Sequence, residues 1–513
     1  MDGHEAMNQK SSAAIATGDS LRSENTPTSP LAEDEKQIEK RLVRKIDVLI
    51  LPIIAFSFYL SIIDRGNYGA ARLQHLESDL HMSGSQFQAA LSVFYAGNIL
   101  FGVPSNMLLN HFGRPSLHIG LAVLFWGMVT SCTAAVNNFG GMMACRTFLG
   151  IAEAPLHPGM LFYLSKWYKK TELSLRISIC LSAGLVAAAT GPLIAAGVLN
   201  GLDGARGLSA WRWLYLIEGI VSICGGLALI AFLPDFPHTW TALTPRTREI
   251  GKSSHLRRIS LIDITAIRRL TLDASETDLD HSDISAFDGV KLALRDEKLY
   301  ILSFIQLCNI VSIGSQSFYP TMAATLGYSH VISLLLVAPP YFYTTIHCCI
   351  HSYLSDRSGR RFWYAFYPAP IAVAGFAIYM SPVTSFGARY FSLFLMLSVY
   401  CMNMTISAWC ATAIARPPAK RAAAYGFLTI ISHSGSIWTP FTYRDEDLPY
   451  FRLALGINAG MMVTAAALAI LLRVIMARAN RRLDEEEKRL RPTAFEIGGD
   501  ISLTQVRGFR YTI

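Results

Sequence analysis

The sequence predicts an all-α membrane protein in which twelve transmembrane helices form two six-helix bundles. The chain has 513 residues, of which 52% are hydrophobic and 16% are charged, and its mean hydropathy is +0.33. Soluble globular chains carry about 25% charged residues. A chain this poor in charge is typical of proteins that bury most of their helices in a lipid bilayer.

Apolar segments of spanning length recur along the whole chain. A helix needs about 20 mostly apolar residues to cross a hydrocarbon core of roughly 30 Å. Twelve segments meet this requirement, near residues 47–71, 87–109, 116–136, 139–165, 174–198, 211–234, 298–323, 332–354, 362–382, 388–414, 422–441 and 452–477. We therefore expect a disordered cytoplasmic N-terminal tail (1–45), an N-terminal bundle (46–234), a cytoplasmic central loop (235–297), a C-terminal bundle (298–477) and a cytoplasmic C-terminal tail (478–513).

The formal net charge of +8 has a topological explanation. Lys and Arg residues, among them Arg114, Arg357 and Arg421, gather in short loops on one side of the predicted membrane. Cytoplasmic loops carry an excess of such residues, so this side and both termini are predicted to face the cytoplasm. We expect no nucleic-acid partner.

Enzyme signatures are absent from the sequence. It contains no Walker loop, no G-x-G-x-x-G, no H-E-x-x-H and no G-x-S-x-G. The segment "HCCIH" at 347–351 spaces two His residues by four positions, but it lacks the further ligands of a zinc site. The chain is therefore predicted to be neither an enzyme nor a metal or cofactor protein.

Several short motifs resemble those of a known transporter family. "SDRSGRR" at 355–361 resembles the cytoplasmic signature of the major facilitator superfamily, and "HFGRP" at 111–115 echoes it in the first half. Within that superfamily, "DRGNYGAA", "GVPSNMLL", "RTFLGIAEAPLHPG", "AWRWLYLIEG", "LPDFP", "APPY" and "KRAAAYG" occur in an order similar to the anion:cation symporter branch and its fungal allantoate and nicotinate permease-like members. The resemblance spans about residues 45–478.

The resemblance implies a fold, an activity and a set of roles. The fold would be two bundles that move a small organic anion together with protons by alternating access. The acid and Arg of the first span, Asp64 and Arg65, and the Arg and Glu of the fourth, Arg146 and Glu153, would serve coupling and anion binding. We expect a monomer in the plasma membrane, with the lipid bilayer, protons and the substrate as its partners.

The charges in the first span support these roles independently. A charge at the bilayer centre costs about 2.5 to 3.5 kcal/mol on insertion scales, so Asp64 and Arg65 should face protein or water. The alternative is that the helix ends at Ile63 and the two charges form an interfacial anchor.

The fourth span carries a second acid and a second guanidinium. Arg146 and Glu153 are seven residues apart, which returns to within about 20° of the same helix face. Gly150 lies between them and permits close approach by a neighbouring helix. Arginine binds carboxylates through a planar fork of two donors, and a buried acid beside it can exchange protons. The alternative is that these four residues form structural salt bridges.

Further polar residues are candidates for lining a substrate cavity: Asn67, Tyr95, Asn309, Gln316 and His433. His433 occupies a position where related transporters commonly carry Asn. The loop residues Asp356, Arg357, Gly359, Arg360 and Arg361 are predicted to gate the cytoplasmic side through charge pairs and helix ends.

The sequence thus predicts a secondary transporter for a small organic anion, with import favoured. Two alternatives remain open. The same fold could export an acidic metabolite, because direction depends on gradients. A nutrient sensor that binds substrate without net transport would need a long folded tail, whereas the tail after Arg478 is short and rich in charge.

Overall fold

The computed structural model describes residues 30–112, 114–165, 167–168, 170–235, 286–382, 385–414 and 418–496. All regular secondary structure in these ranges is helical. Contacts divide the chain into Met1–Asp47, of which the described part is helical, and Val48–Ile513, which contains every helix after the first. The predicted all-α fold is confirmed.

Within the described ranges, eight α-helices precede the central loop. They are α1 (Pro30–Arg72), α2 (Leu76–Asp79), α3 (Gly84–Phe112), α4 (Pro115–Thr133), α5 (Phe139–Glu153), α6 (Leu156–Ser165), α7 (Lys170–Leu202) and α8 (Ala210–Phe232).

Ten helices follow. They are α9 (Ala286–Leu294), α10 (Glu297–Ile313), α11 (Tyr319–Ala324), α12 (His330–Ser358), α13 (Arg361–Phe366), α14 (Pro368–Met380), α15 (Phe386–Met396), α16 (Val399–Ala413), α17 (Pro418–Trp438) and α18 (Arg452–Glu496).

Helices lie at all twelve predicted span positions. Within the described ranges, nine helical stretches are long and apolar enough to cross a membrane. The helices at the second, fourth and eleventh predicted spans are not among these nine. The fourth is divided between α5 and α6.

The ends of the chain correct one prediction. Residues 1–29 of the predicted disordered tail lie outside the described residues, but residues 30–45 belong to α1 and are helical. This segment is rich in Glu, Lys, Arg and Leu, which are strong helix formers even without an apolar face. At the other end, α18 extends through much of the predicted tail to Glu496, and residues 497–513 lie outside the described part.

Two predicted spans are broken near their middle. In the fourth, Pro155 lies two residues after the end of α5, and because proline has no N–H it interrupts the helical hydrogen-bond pattern, although Ala154 keeps helical φ and ψ. In the seventh, a short 3₁₀ segment, Gly314–Phe318, separates α10 from α11. Both breaks place a predicted site residue, Glu153 or Gln316, where the backbone departs from a regular helix.

Glycines bring the N-terminal helices close together. A Cβ added at Gly150 of α5 would lie 2.2 Å from the Phe94 carbonyl oxygen on α3. One at Gly219 of α8 would lie 2.2 Å from Ser131 Oγ on α4. Small residues allow such close approach of membrane helices, which is driven largely by van der Waals packing.

Gly150→Ala should destabilise the protein, because its methyl group would overlap the backbone of α3. Overpacking of this kind typically costs about 1 to 3 kcal/mol, and we expect a lower unfolding temperature in detergent. Gly197→Ala on α7 is the matched control, since no atom lies within 4 Å of the added Cβ. Alanine within a helix is about 0.5 to 1 kcal/mol better than glycine, so the control should be at least as stable as wild type. Equal stability of the two variants would contradict the assigned packing.

Candidate functional site

An ion pair joins α1 to the end of α5. Arg65 Nε lies 2.8 Å from Glu153 Oε2, and the Ser61 hydroxyl donates to the same oxygen at 3.0 Å. The Glu153 side chain is fully buried, whereas the Arg65 side chain is 25% exposed. Glu153 thus contacts the Nε edge of the guanidinium, and part of the Arg65 side chain remains exposed.

Local sequence explains how these residues meet. Ser61 and Arg65 are one turn apart on α1 and therefore share a face. Glu153 is the last residue of α5, which ends before Pro155. The free carbonyl groups at a helix C-terminus favour a nearby cation, and Arg65 supplies one.

Asp64 is buried within the first span. Helix α1 continues past it to Arg72, so the alternative of a helix that ends at Ile63 is wrong. Neither Asp64 carboxyl oxygen has a hydrogen-bond partner within the described ranges. Its charge–charge interactions are with Glu153 and Arg146.

Arg146 is held by aromatic side chains. Its guanidinium carbon lies 3.9 Å from the centre of the Tyr68 ring, and Nη2 donates to the Tyr215 hydroxyl at 2.6 Å. The described part of the chain contains no salt bridge between Arg146 and an acid. The alternative interpretation required two structural salt bridges. The Arg65–Glu153 salt bridge is present, but among the described residues Arg146 forms none.

Three further side chains interact electrostatically with Arg65 or its neighbours. Tyr95 interacts with Arg65 and Glu153. His157, at the start of α6, interacts with Arg65 and with His433 of the C-terminal half. Of these residues, Tyr95 and His433 were predicted and His157 was missed, although it follows Pro155 in the same motif as Glu153.

A small cavity lies beside this site. Its volume is about 30 Å³, and its lining includes Asn67, Gln316 and Tyr341. Asn67 Nδ2 and the Tyr341 hydroxyl have no hydrogen-bond partner among the described residues, while Gln316 Oε1 accepts a bond from Tyr400 at 2.5 Å. Unpaired buried polar atoms are costly, so these groups are suited to contact a polar ligand.

Asn309 lies apart from that lining. It is fully buried on α10, and neither side-chain polar atom has a hydrogen-bond partner in the ranges that the structure describes. The two His residues of "HCCIH" bond to Tyr367, at 3.1 Å from His347 and 2.7 Å from His351. The described residues include no cluster of His, Cys, Asp and Glu suited to a metal ion.

The predicted gating loop caps α12. Gly359 has a φ of 64° and its N–H bonds to the Ser355 carbonyl oxygen, a helix C-terminus that favours glycine. Asp356 pairs with Arg361 at 2.6 Å. Arg357 donates to the Tyr353 hydroxyl at 3.4 Å, and Arg360 lines a cavity of about 570 Å³.

Contacts close the opposite end of the molecule between the two halves. Arg72 at the end of α1 pairs with Asp445, just before α18, at 2.6 Å and with Glu77 at 3.0 Å. Burial raises the pKa of Glu77, and the Arg72 charge opposes that shift. Gln88 also donates to the Tyr443 carbonyl oxygen at 2.5 Å.

Comparison with known proteins identifies the family. Residues 54–440 match the family described as Major Facilitator Superfamily. The chain belongs to the Major Facilitator Superfamily. It is 32% identical to the MFS-type transporter cnsO of Penicillium expansum, over 90% of this chain and 88% of that protein. It is 31% identical to an uncharacterized transporter of Schizosaccharomyces pombe, over 89% and 92% of the two chains.

Solved superfamily structures share the fold. A D-xylose–proton symporter superposes with a TM-score of 0.61 at 15% identity, covering 82% of this chain and 96% of that one. An inward-facing, unoccupied bacterial homolog of the lysosomal transporter Spinster gives 0.56 at 15% identity, covering 87% and 96%. This superfamily member is thus an integral multi-pass membrane protein and a secondary transporter of a small molecule. It is not an enzyme.

Gly69→Ala should open the contact between the two halves at the Arg72 end. A Cβ on Gly69 would lie 2.2 Å from the Ser317 carbonyl oxygen of the other half. Spin labels at the exposed residues Ser83 and Glu446, on a cysteine-free background, should move apart by several ångström in this variant. Gly66→Ala, one turn earlier on α1 with no atom within 4 Å, should leave the distance unchanged. Identical distances in both variants would show that Gly69 does not control this closure.

Proposed function

We propose that the chain is a proton-coupled symporter that imports a small organic anion, of the anion:cation symporter type, across the plasma membrane. The observation that carries this proposal is the Arg65–Glu153 pair: a partly exposed arginine side chain whose Nε is bound by a fully buried acid. Arg65 can bind a substrate carboxylate, and Glu153 is an acid that can accept a proton when that carboxylate binds.

Arginine suits the anion-binding role for geometric reasons. Its guanidinium presents parallel N–H donors that match a carboxylate, and it remains charged at any relevant pH. Glu153 contacts Nε. A substrate carboxylate that approaches from the exposed side can bind the remaining donors and weaken the bond to Glu153.

Competition for Arg65 couples the anion to a proton. Removing the partner from a buried pair costs roughly 3 to 5 kcal/mol, because the remaining charge is left uncompensated. If the substrate takes Arg65, Glu153 avoids this cost by accepting a proton. Asp64 lies within interaction range of Glu153 and Arg146, so it can deliver or receive that proton within the same cluster.

The driving force follows from the charges moved. Moving one elementary charge through the membrane potential changes the free energy by about 2.3 kcal/mol per 100 mV. A proton that accompanies a monoanion cancels this electrical contribution. Uptake would then be driven by the pH gradient.

Alternating access would use the two ends described above. The Arg72–Asp445 contact closes one end between the halves, and the Asp356–Arg361 pair stabilises the α12 end at the other. We assign Asn67, Tyr95, Gln316, Asn309 and His433 to the substrate path, and Asp356, Arg357, Gly359, Arg360 and Arg361 to gating.

An uptake panel in proteoliposomes tests the proposed function. Radiolabelled carboxylates, ureides and vitamins are offered with the outer solution more acidic than the lumen. We expect at least one carboxylate to accumulate, and a protonophore to abolish its accumulation. Accumulation of uncharged compounds alone, or carboxylate uptake that survives collapse of the pH gradient, would overturn the proposal.

Arg65→Lys should weaken binding of the transported carboxylate by about 10- to 100-fold. A lysine keeps the charge but loses the planar fork, and a hydrogen bond to a charged group contributes about 1.5 to 3 kcal/mol. Competition with the radiolabelled carboxylate identified by the panel measures the affinity. Arg212→Lys is the matched control, because Arg212 bonds to the Ala134 carbonyl oxygen and Asn137 outside the site. If both variants bind as wild type does, Arg65 is not the anion-binding group.

A further inference from the structure

A third buried acid lies in the N-terminal half. Glu218 sits on α8 and is 6% exposed, and neither of its carboxyl oxygens has a hydrogen-bond partner in the described part of the chain. The next residue in the sequence, Gly219, packs against Ser131 and Gly127 of α4. This contact places the turn of α8 that carries Glu218 against α4. Glu218 is thus buried, and it forms no salt bridge with any of the described residues.

Asp64 faces Glu218 from α1. Leu60, one turn before Asp64 on α1, would lie 3.2 Å from a Cβ added at Gly225, two turns after Glu218 on the same face of α8. The two acids therefore come from facing stretches of α1 and α8, and their carboxyl groups interact. The Trp126 indole on α4 is also fully buried beside Asp64, and its N–H has no partner of good geometry among the described residues. A hydrogen bond between two carboxyl groups requires a proton on one of them.

The charges of the cluster lead to the same requirement. It contains three buried acids, Asp64, Glu153 and Glu218, but only two guanidinium groups, Arg65 and Arg146. Arg65 is paired with Glu153, which leaves one positive charge, Arg146, for two acids. Uncompensated charge is strongly unfavourable in a buried site, so the cluster is neutral when it holds one proton.

We propose that Asp64 and Glu218 form a carboxyl pair that holds one shared proton behind the substrate site. The proton lies between a carboxyl group on α1 and a carboxylate on α8, and the single negative charge that remains is balanced by Arg146. The other titratable groups that interact with the pair are Glu153 at the end of α5 and Tyr215 on α8. Two carboxyl groups that share a site cannot both ionise readily.

The pair also explains how Arg146 is placed. Tyr215 lies one turn before Glu218 on α8 and accepts a hydrogen bond from Arg146. This contact keeps the guanidinium near the carboxyl pair without forming a salt bridge to either acid. When the proton leaves for water, Arg146 is the group that can move toward the ionised pair. As part of transport, this step rests on the proton coupling proposed above.

Infrared spectroscopy of the full chain in micelles of a detergent without ester groups, such as dodecyl maltoside, tests the proposal without a substrate. The carbonyl stretch of a protonated carboxyl group is distinct from that of a carboxylate, and exposed acids are ionised at neutral pH. We expect wild type to keep a protonated-carboxyl band at neutral pH, and part of this band to shift when side-chain carboxyls of glutamate carry heavy carbon. Absence of the band in wild type would overturn the proposal even if no variant folds.

Three variants assign the band to residues. Glu218→Gln and Asp64→Asn should each lose it at neutral pH, since an amide can donate to the remaining carboxylate. Asp296→Asn is the matched control and should retain it, because Asp296 is ion-paired with Lys420 outside the cluster. A full band in Glu218→Gln would place the proton on Asp64 alone and overturn the role of Glu218. Absence of pH-driven uptake in wild type would refute the proposed function but leave this result intact.

Discussion

The Arg65–Glu153 ion pair is the interaction on which the arrangement of the N-terminal half depends. It places opposite charges 2.8 Å apart in a protein interior, where a lone charge would be expensive. The break at Pro155 ends α5 at Glu153, and Ser61 adds a second donor to the same carboxyl oxygen. Because Glu153 is paired with Arg65, Arg146 contacts the aromatic residues Tyr68 and Tyr215 instead. Asp64 and Glu218 interact with each other.

Backbone irregularities and glycines make this polar interior possible. The breaks after Glu153 and at Gly314–Phe318 interrupt two spans at the level of site residues. Transporters commonly form their binding sites from such discontinuous helices. Close contacts at Gly150 and Gly219 hold the surrounding helices in register, so the charged side chains meet with defined geometry.

Sequence reasoning predicts the helical fold and part of the site. The cost of a charge in an apolar span singled out Asp64 and Arg65, whereas helical spacing and the family resemblance singled out Arg146 and Glu153. The same signal was available for Glu218, a lone acid in the apolar segment "AWRWLYLIEG", but these letters were used only as a family motif. His157 carried a weaker signal, since a histidine in an apolar helix is often a packing residue.

Pairing of the charges could not be predicted. The seven-residue spacing places Arg146 and Glu153 on one face of a continuous helix. The actual partner of Glu153 is Arg65 on α1. Which arginine pairs with Glu153 depends on how α1 packs against α5. The helical start of α1 at Pro30 was missed because the charged segment before the first span was assigned to a disordered tail.

Competition between Glu153 and the substrate carboxylate for Arg65 is the central claim of this account. The most direct test is the affinity of the transported carboxylate as a function of pH, in wild type and in Glu153→Gln. In wild type, binding should tighten as the pH falls, because a proton must neutralise Glu153 when the substrate takes Arg65. Glu153→Gln should bind tightly with much less pH dependence, since its side chain never carries a charge. An equal pH dependence in both proteins, or none in wild type, would contradict the account.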